Sequence, residues 1–198
     1  MSLLNKRARF TLPYNVEYVL TDTAGRAKPI FQENRLARFL LKKGWLSPLW
    51  INSIFAPLLA PFLGYYAYNR IVSNLVTNAG KAGVASRING SGAEAAFTYI
   101  AVGTGTTAAA AGDTTLETEI TDSGLSRANS TASRVTVDVT NDGARLANTF
   151  SVSGTKAVTE SGVLNASSSG VLLCRQVFSA INVVSGDSLT ITWTIDVD

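Results

Sequence analysis

Along SLTITWTIDV, residues 188–197, apolar and polar side chains alternate without a break: Leu189, Ile191, Trp193, Ile195 and Val197 share one face, while Thr190, Thr192, Thr194 and Asp196 share the other. A period of two predicts a strand with one face on a core and one in water. Six further segments are rich in Val, Ile, Thr and aromatics and are bounded by Gly, Ser, Asn and Asp: FTYIAV (97–102), RVTVDVT (134–140), NTFSVSG (148–154), AVTESGVL (157–164), GVLLCRQVF (170–178) and AINVV (180–184). Their connections carry turn chemistry. Asn141-Asp142-Gly143 supplies the positive φ of a hairpin turn, Ala166–Gly170 is a small polar loop, and Ser185-Gly186-Asp187 is a tight link. The pattern predicts a mainly β chain: an antiparallel β-sandwich or jelly-roll-like module over residues 70–198.

The first 69 residues have a different grammar. RFTLPYNVEYVLTDTAGRAK (9–28) reads as a hairpin, with Tyr14, Val16, Tyr18 and Leu20 alternating with Asn15, Glu17 and Val19 before a turn at Asp22-Thr23-Ala24-Gly25. Pro29 is placed to open a helix whose apolar residues Leu36, Phe39 and Leu40 are spaced i, i+3, i+4, and which ends on Lys42-Lys43 before Gly44. Two shorter helical pieces are expected downstream. SNLVTNAGKAGVASRI (73–88) predicts a short strand running into a helix capped by Asn78, with Ala79, Ala82, Val84 and Ala85 as its apolar side. Asp113 is placed to cap a helical turn that ends at Ile120.

Residues 45–68, WLSPLWINSIFAPLLAPFLGYYAY, carry no charge, and the uncharged run extends from Gly44 to Asn69. That exceeds the roughly 20 residues a membrane-spanning helix requires. Pro57 and Pro61 argue against a single span, because an interior proline costs about 3 kcal/mol of helix stability, and Asn52 and Ser53 lie inside the run. Ser47-Pro48 reads as a cap and first turn of a short apolar helix followed by a proline-broken segment. So much apolar surface needs a cover: the domain's own core, a bilayer or neighbouring protein subunits. The strands already supply a core and the prolines disfavour lipid, so the reading adopted is a docking segment. Its contact residues are Trp45, Leu49, Trp50, Ile54, Phe55, Leu58, Leu59, Phe62 and Tyr65, types that anchor permanent interfaces. The chain thus divides into a basic arm and hairpin (1–28), a helical hydrophobic docking insertion (29–69) and the β-module (70–198).

Charge sharpens the division. Residues 1–84 hold 11 Lys/Arg against 3 Asp/Glu, and residues 85–198 hold 6 against 11, so +8 and −5 underlie the net +3. Lys6, Arg7, Arg9, Arg35, Arg38, Lys42 and Lys43 form the candidate basic surface, with Arg26 and Lys28 nearby. Such a cluster suits a solvated helix face, phosphate contact with nucleic acid, or steering onto the acidic β-module of a neighbouring copy. The chain has no histidine, the commonest general base and zinc ligand, which argues against an enzyme. MSLLNKRARF has no apolar stretch directly behind its basic residues, so no secretory leader is expected. Cys174 lies in an apolar run and reads as a small buried hydrophobe.

Remaining motifs favour structural readings. Gly103-Thr104-Gly105-Thr106-Thr107 lacks both the third glycine of a dinucleotide loop and the Gly-Lys-Ser/Thr of a P-loop, so a strand-linking loop is expected. Glu117 and Glu119, two apart on the expected helical turn, suit a solvated face better than a carboxylate pair. Asn141, Asp142 and Asp187 sit where turns already demand those residue types, so neither a metal nor another cofactor is expected.

The order of YNVEYVLTDTAGR, SNLVTNAGKAGVAS, YIAVGTGTTAAAAGDTTLETEI, VTESGVLN, CRQVF and VVSGDSLTITWTIDV resembles a family of tailed-bacteriophage virion proteins described as tail-fibre-like or structural. The resemblance covers about residues 10–28 and 70–198. Residues 29–69 depart from it as an insertion. It implies a virion location and a non-enzymatic, homo-oligomeric component of the tail, neck or fibre-attachment region that contacts other virion proteins. A capsid-decoration or head-fibre protein is the alternative within that class, and a receptor- or glycan-binding module at a fibre tip is the alternative outside it. A sugar site needs exposed aromatic rings, whereas Phe150, Phe178 and Trp193 all fall at expected core positions.

Overall fold

A computed structural model describes residues 14–33, 36, 40, 64–67, 70–73, 75–92 and 94–196. The chain is mainly β. In order, its elements are β1 (Tyr14–Thr21), β2 (Ala27–Lys28), β3 (Ile30–Glu33), β4 (Gly64–Ala67), β5 (Arg70–Ser73), β6 (Leu75–Val76), α1 (Asn78–Asn89), β7 (Tyr99–Gly103), β8 (Ala128–Asn129), β9 (Thr131–Val135), β10 (Gly143–Ser151), β11 (Lys156–Leu164), β12 (Leu172–Val183) and β13 (Ser188–Ile195).

The alternating segment at 188–197 becomes β13, the centre of the first sheet, which runs β2-β1-β13-β10-β9 with β5 also on β1. Every β13 residue pairs antiparallel with β1 on one side and β10 on the other, so Trp193 lies between Val16 and Leu146. The second sheet runs β6-β12-β11-β7-β8. The two sheets face one another across a common core. Val16, Tyr18, Leu146, Phe150, Leu189, Ile191 and Trp193 come from the first sheet, while Ile100, Val102, Val163, Cys174, Phe178 and Ile181 come from the second. The arrangement is a β-sandwich-like module, as the sequence predicts. Tyr18 and Phe178 stack across it with ring centroids 4.2 Å apart. The indole Nε1 of Trp193 donates across the core to Ser161 Oγ at 3.3 Å, and Ser161 Oγ donates on to the Ala101 carbonyl at 3.0 Å.

The two sheets bury differently. In β13 buried and half-buried residues alternate strictly, whereas β11 is buried at every position from Val158 to Leu164. The second sheet is covered on both faces, as a second apolar cluster of Ala101, Leu116, Leu164 and Leu172 shows on the side away from the sandwich core. Its cover there includes the loop 104–127, which supplies Leu116, whereas α1 packs on β12 and its Val84 meets the main core.

Several expectations need correction. GVLLCRQVF and AINVV are one strand, β12, whose register against β11 slips between Val158 and Glu160. The polar break at Ser179 marks that bulge and not a turn. RVTVDVT is strand only to Val135, and residues 136–140 bend instead. The Asp142 carboxylate accepts the N–H groups of Val137, Asp138 and Val139 at 2.6–2.9 Å, taking donors that a longer strand would use. Asp113 caps no helix, since residues 104–127 hold only turns, bends and the isolated bridge Gly103↔Glu119.

The hairpin at 14–28 forms as β1 and β2, with Asp22 Oδ1 accepting the N–H groups of Ala24 and Arg26 in its turn and Gly25 at φ 73°. Pro29 opens no helix. It precedes strand β3, and helix is present at Leu36 and Leu40. Helix α1 is capped one residue earlier than expected, by Thr77, whose Oγ1 accepts the Gly80 N–H and donates to the Leu172 carbonyl. Its buried positions are Gly80 and Gly83, while Ala82 and Ala85 are exposed. A Cβ on Gly80 would collide with the Leu173 carbonyl, so the helix lies closer to β12 than alanine permits.

The two faces of β13 carry a direct test. Trp193→Ala is expected to destabilise the fold by about 3–5 kcal/mol in urea denaturation, because an unexposed indole leaves a cavity, whereas Thr192→Ala on the outer face stays within about 0.5 kcal/mol.

Candidate functional site

Of the sequence-predicted docking residues, Trp45, Leu49, Trp50, Ile54, Phe55, Leu58, Leu59 and Phe62 lie outside the described residues, and Tyr65 falls on β4. The basic candidates Lys6, Arg7, Arg9, Arg35, Arg38, Lys42 and Lys43 also lie outside them. The strands that flank the predicted docking segment in the sequence are described. Strands β3 and β4 pair antiparallel, Ile30 with Ala67 through Glu33 with Gly64. Glu33 and Gly64, which bracket residues 34–63 in the sequence, are therefore directly paired, about 5 Å apart.

That base is fixed to the sandwich. Ile30 is buried in the main core, and Phe31 packs edge-on against Tyr66 with centroids 5.3 Å apart. One link upstream, Lys28 Nζ donates to Asp187 Oδ2 at 2.6 Å, and the same buried carboxylate accepts the Val184 N–H at 3.0 Å. The turn residue Asp187 thus ties the β1–β2 hairpin to the β12–β13 turn.

On the other side of the molecule lies a buried charge cluster. Glu160 on β11 is 0 % exposed and Arg175 on β12 is 2 % exposed. Arg175 Nε donates to Glu160 Oε2 at 2.8 Å, one terminal nitrogen donates to Asp113 Oδ2 at 2.8 Å, and the other lies 3.4 Å from Glu117 Oε2. Glu160 also accepts three loop N–H groups: Gly105 at 3.0 Å and Thr118 at 2.7 Å on Oε1, and Glu117 at 3.1 Å on Oε2. Burial alone lowers the Arg175 guanidinium, but the hydrogen bonds and charges of Glu160 and Asp113 outweigh it and hold the group above its ordinary value. The cluster therefore fastens the loop 104–127 onto the second sheet. Gly103 and Gly105 sit so near Glu160 that a Cβ on either would meet its Oε1.

Glu117 and Glu119 do not sit on a helical turn, though Glu117 is exposed as expected and Glu119 is half-buried. Glu117 accepts from the Thr107 hydroxyl and N–H, and Glu119 holds Arg127 through two contacts of 2.6 and 2.9 Å. Arg127 continues to the carbonyls of Ala166 and Ser169, so a second clamp joins two loops. The Gly103–Thr107 segment is a strand end and loop. Among the described residues, no group of three or more His, Cys, Asp or Glu side chains is placed to hold a metal ion. Phe150, Phe178 and Trp193 are buried, so none of them offers a stacking face to a sugar. Cys174 is buried, and desolvation pushes its thiol far above the ordinary range, away from reactivity.

Sequence reasoning passed over Glu160 and Arg175 as site residues and named Lys28 only with the basic cluster. The available signal was one charge of each sign inside two otherwise apolar strand runs, TES in β11 and CRQ in β12. No family model matches the chain, and no curated protein or solved structure matches it.

Acid should loosen this architecture. Hydrogen bonds from Arg26 to Asp22, from Thr107 to Glu117 and from the backbone of Val137 and Val139 to Asp142, together with Lys156 beside Asp122, hold these carboxyls below their ordinary 3.8 or 4.5. A folded-state value below the unfolded one gives stability that is present above the unfolded value and is lost as pH falls through the folded value. With no histidine to titrate, thermal stability is expected to be flat from about pH 7 to about pH 5 and to decline below about pH 4. Stability that rose on acidification through that lower range would contradict the assignment.

Proposed function

We propose that this chain is a non-enzymatic structural component of a tailed-phage particle. It is present in several copies and docks on neighbouring virion proteins through residues 45–68. The observation that carries the reading is that an uncharged, aromatic-rich stretch of the sequence is bracketed by a narrow two-stranded base on a sandwich whose core walls come from its own two sheets. A stretch of that composition beside a core already walled by two sheets favours a permanent protein neighbour. The paired base suits an arm, because β3 and β4 hold the residues that flank it on the sandwich.

The resemblance to virion proteins supports the same reading. Its segments fall on the residues that build the fold: YIAVGTGTT spans β7 and the clamped loop, VTESGVLN holds Glu160, CRQVF holds Arg175, and GDSLTITWTIDV is β13 with Trp193. Tail, neck or fibre attachment is the location adopted. Among the described residues no helix is long and apolar enough to cross a membrane.

The experiment is complementation of particles assembled without this chain, using the wild type or the double variant Leu58→Asp, Phe62→Asp. The wild type is expected in purified particles, with the variant folded by circular dichroism but absent from them. Incorporation of the variant at the wild-type level, or particles that never contain the wild type, would overturn the proposal.

A further inference from the structure

A strand at the edge of a sheet exposes unpaired N–H and C=O groups, and natural folds protect such edges with short length, proline, charged side chains (lysine above all), a bulge or a cover. Much of this fold follows that rule. β2, β6 and β8 are two residues each, and β2 and β5 share the outer side of β1. β9 follows it least. Among the described residues Thr131–Val135 is the outermost strand of the first sheet, pairs along its five residues with β10, and holds one charge, Arg134, but neither proline nor lysine. Thr131, Ala132, Ser133 and Arg134 are all exposed, and just beyond them Val137 and Val139 are 45 % and 69 % exposed.

The geometry points to a second copy of this chain as the occupant, its β9 lying antiparallel beside the first about a two-fold axis through Ser133. The strand is self-complementary in that register. Thr131 faces Val135 of the other copy, a β-branched pair of the kind that stabilises antiparallel ladders, Ala132 faces Arg134, and Ser133 faces Ser133. All five residues pair only in this alignment. Centring the axis on Arg134 sets two guanidinium groups directly opposite, and centring it on Ala132 leaves Arg134 and Val135 unpaired. A two-fold axis fits the general preference of identical chains for closed, isologous contacts.

Five residues bury less than the roughly 1,000 Å² a free-standing interface needs, so the contact acts between copies that another contact already holds close. In that respect it rests on the proposed assembly in several copies.

The test uses full-length chain carrying single cysteines on β9, treated with a mild oxidant; native Cys174 is buried and does not compete. Opposed residues of an antiparallel pair have Cα atoms about 4.5–5.5 Å apart, inside the roughly 4.4–6.8 Å a disulfide spans. Ser133→Cys alone is therefore expected to convert to a disulfide-linked dimer. Two copies of Thr131 would be about 14 Å apart, so Thr131→Cys alone should stay unlinked, while a mixture of Thr131→Cys with Val135→Cys should link. Equal linking of Ser133→Cys and Thr131→Cys would mean a loose encounter and would overturn the register. Multimers by light scattering without any linking would overturn the edge pairing and leave the proposed assembly standing. A clean monomer without linking would overturn both.

Discussion

The buried pair Glu160–Arg175 is the interaction on which the architecture turns. A sandwich of two sheets needs one apolar face from each, but the second sheet here is buried on both, and its outer cover includes a loop. Loops are poor covers because their backbone groups lack the regular partners of a helix or strand. Glu160 answers that by accepting three loop N–H groups, and Arg175 neutralises it while reaching Asp113 and Glu117 within the same loop. A buried ion pair contributes little net stability against an apolar substitute, yet losing one partner costs about 3–5 kcal/mol, so the two residues act as a lock and not as a source of stability. Leu116 then packs under the loop against Leu164 and Leu172.

That lock shapes the rest of the molecule. With the second sheet roofed by residues 104–127, and the first sheet closing the other side of the core, the sandwich supplies its own core walls. The β3–β4 ribbon is bound at its root by Ile30 and begins two residues beyond Lys28 of the Lys28–Asp187 tie, so it holds the residues that flank 34–63 together on the sandwich. A sandwich whose paired ribbon brackets residues 34–63 suits the proposed component that docks through residues 45–68. The proposed pairing of β9 edges would add a second, weaker contact.

Legibility in the sequence followed burial. β13 and β1 were readable because one face of each meets the core and the other does not, which writes a period of two into Leu189, Ile191 and Trp193 and into Val16, Tyr18 and Leu20. In the second sheet burial on both faces erases that period, so β12 read as two segments split at Ser179, where a bulge lies. RVTVDVT had the right alternation but the wrong outcome, because the Asp142 carboxylate takes the N–H groups of three of its residues. The clamp was legible only as two opposite charges in neighbouring apolar runs. Their partners come from a loop some 40 to 60 residues away in sequence, and only the folded register brings them together. Residues 45–63, the stretch most distinctive in composition, lie outside what the structure describes.

The most direct measurement of the central claim is residue-resolved hydrogen exchange on the unmodified protein. If Glu160 holds the roof down, the amides of Gly105, Glu117 and Thr118 exchange as slowly as those of Ser161–Val163 in β11. If those three exchange as fast as the exposed loop amides of Ser167–Ser169, the loop is not fastened and the account of the fold is wrong.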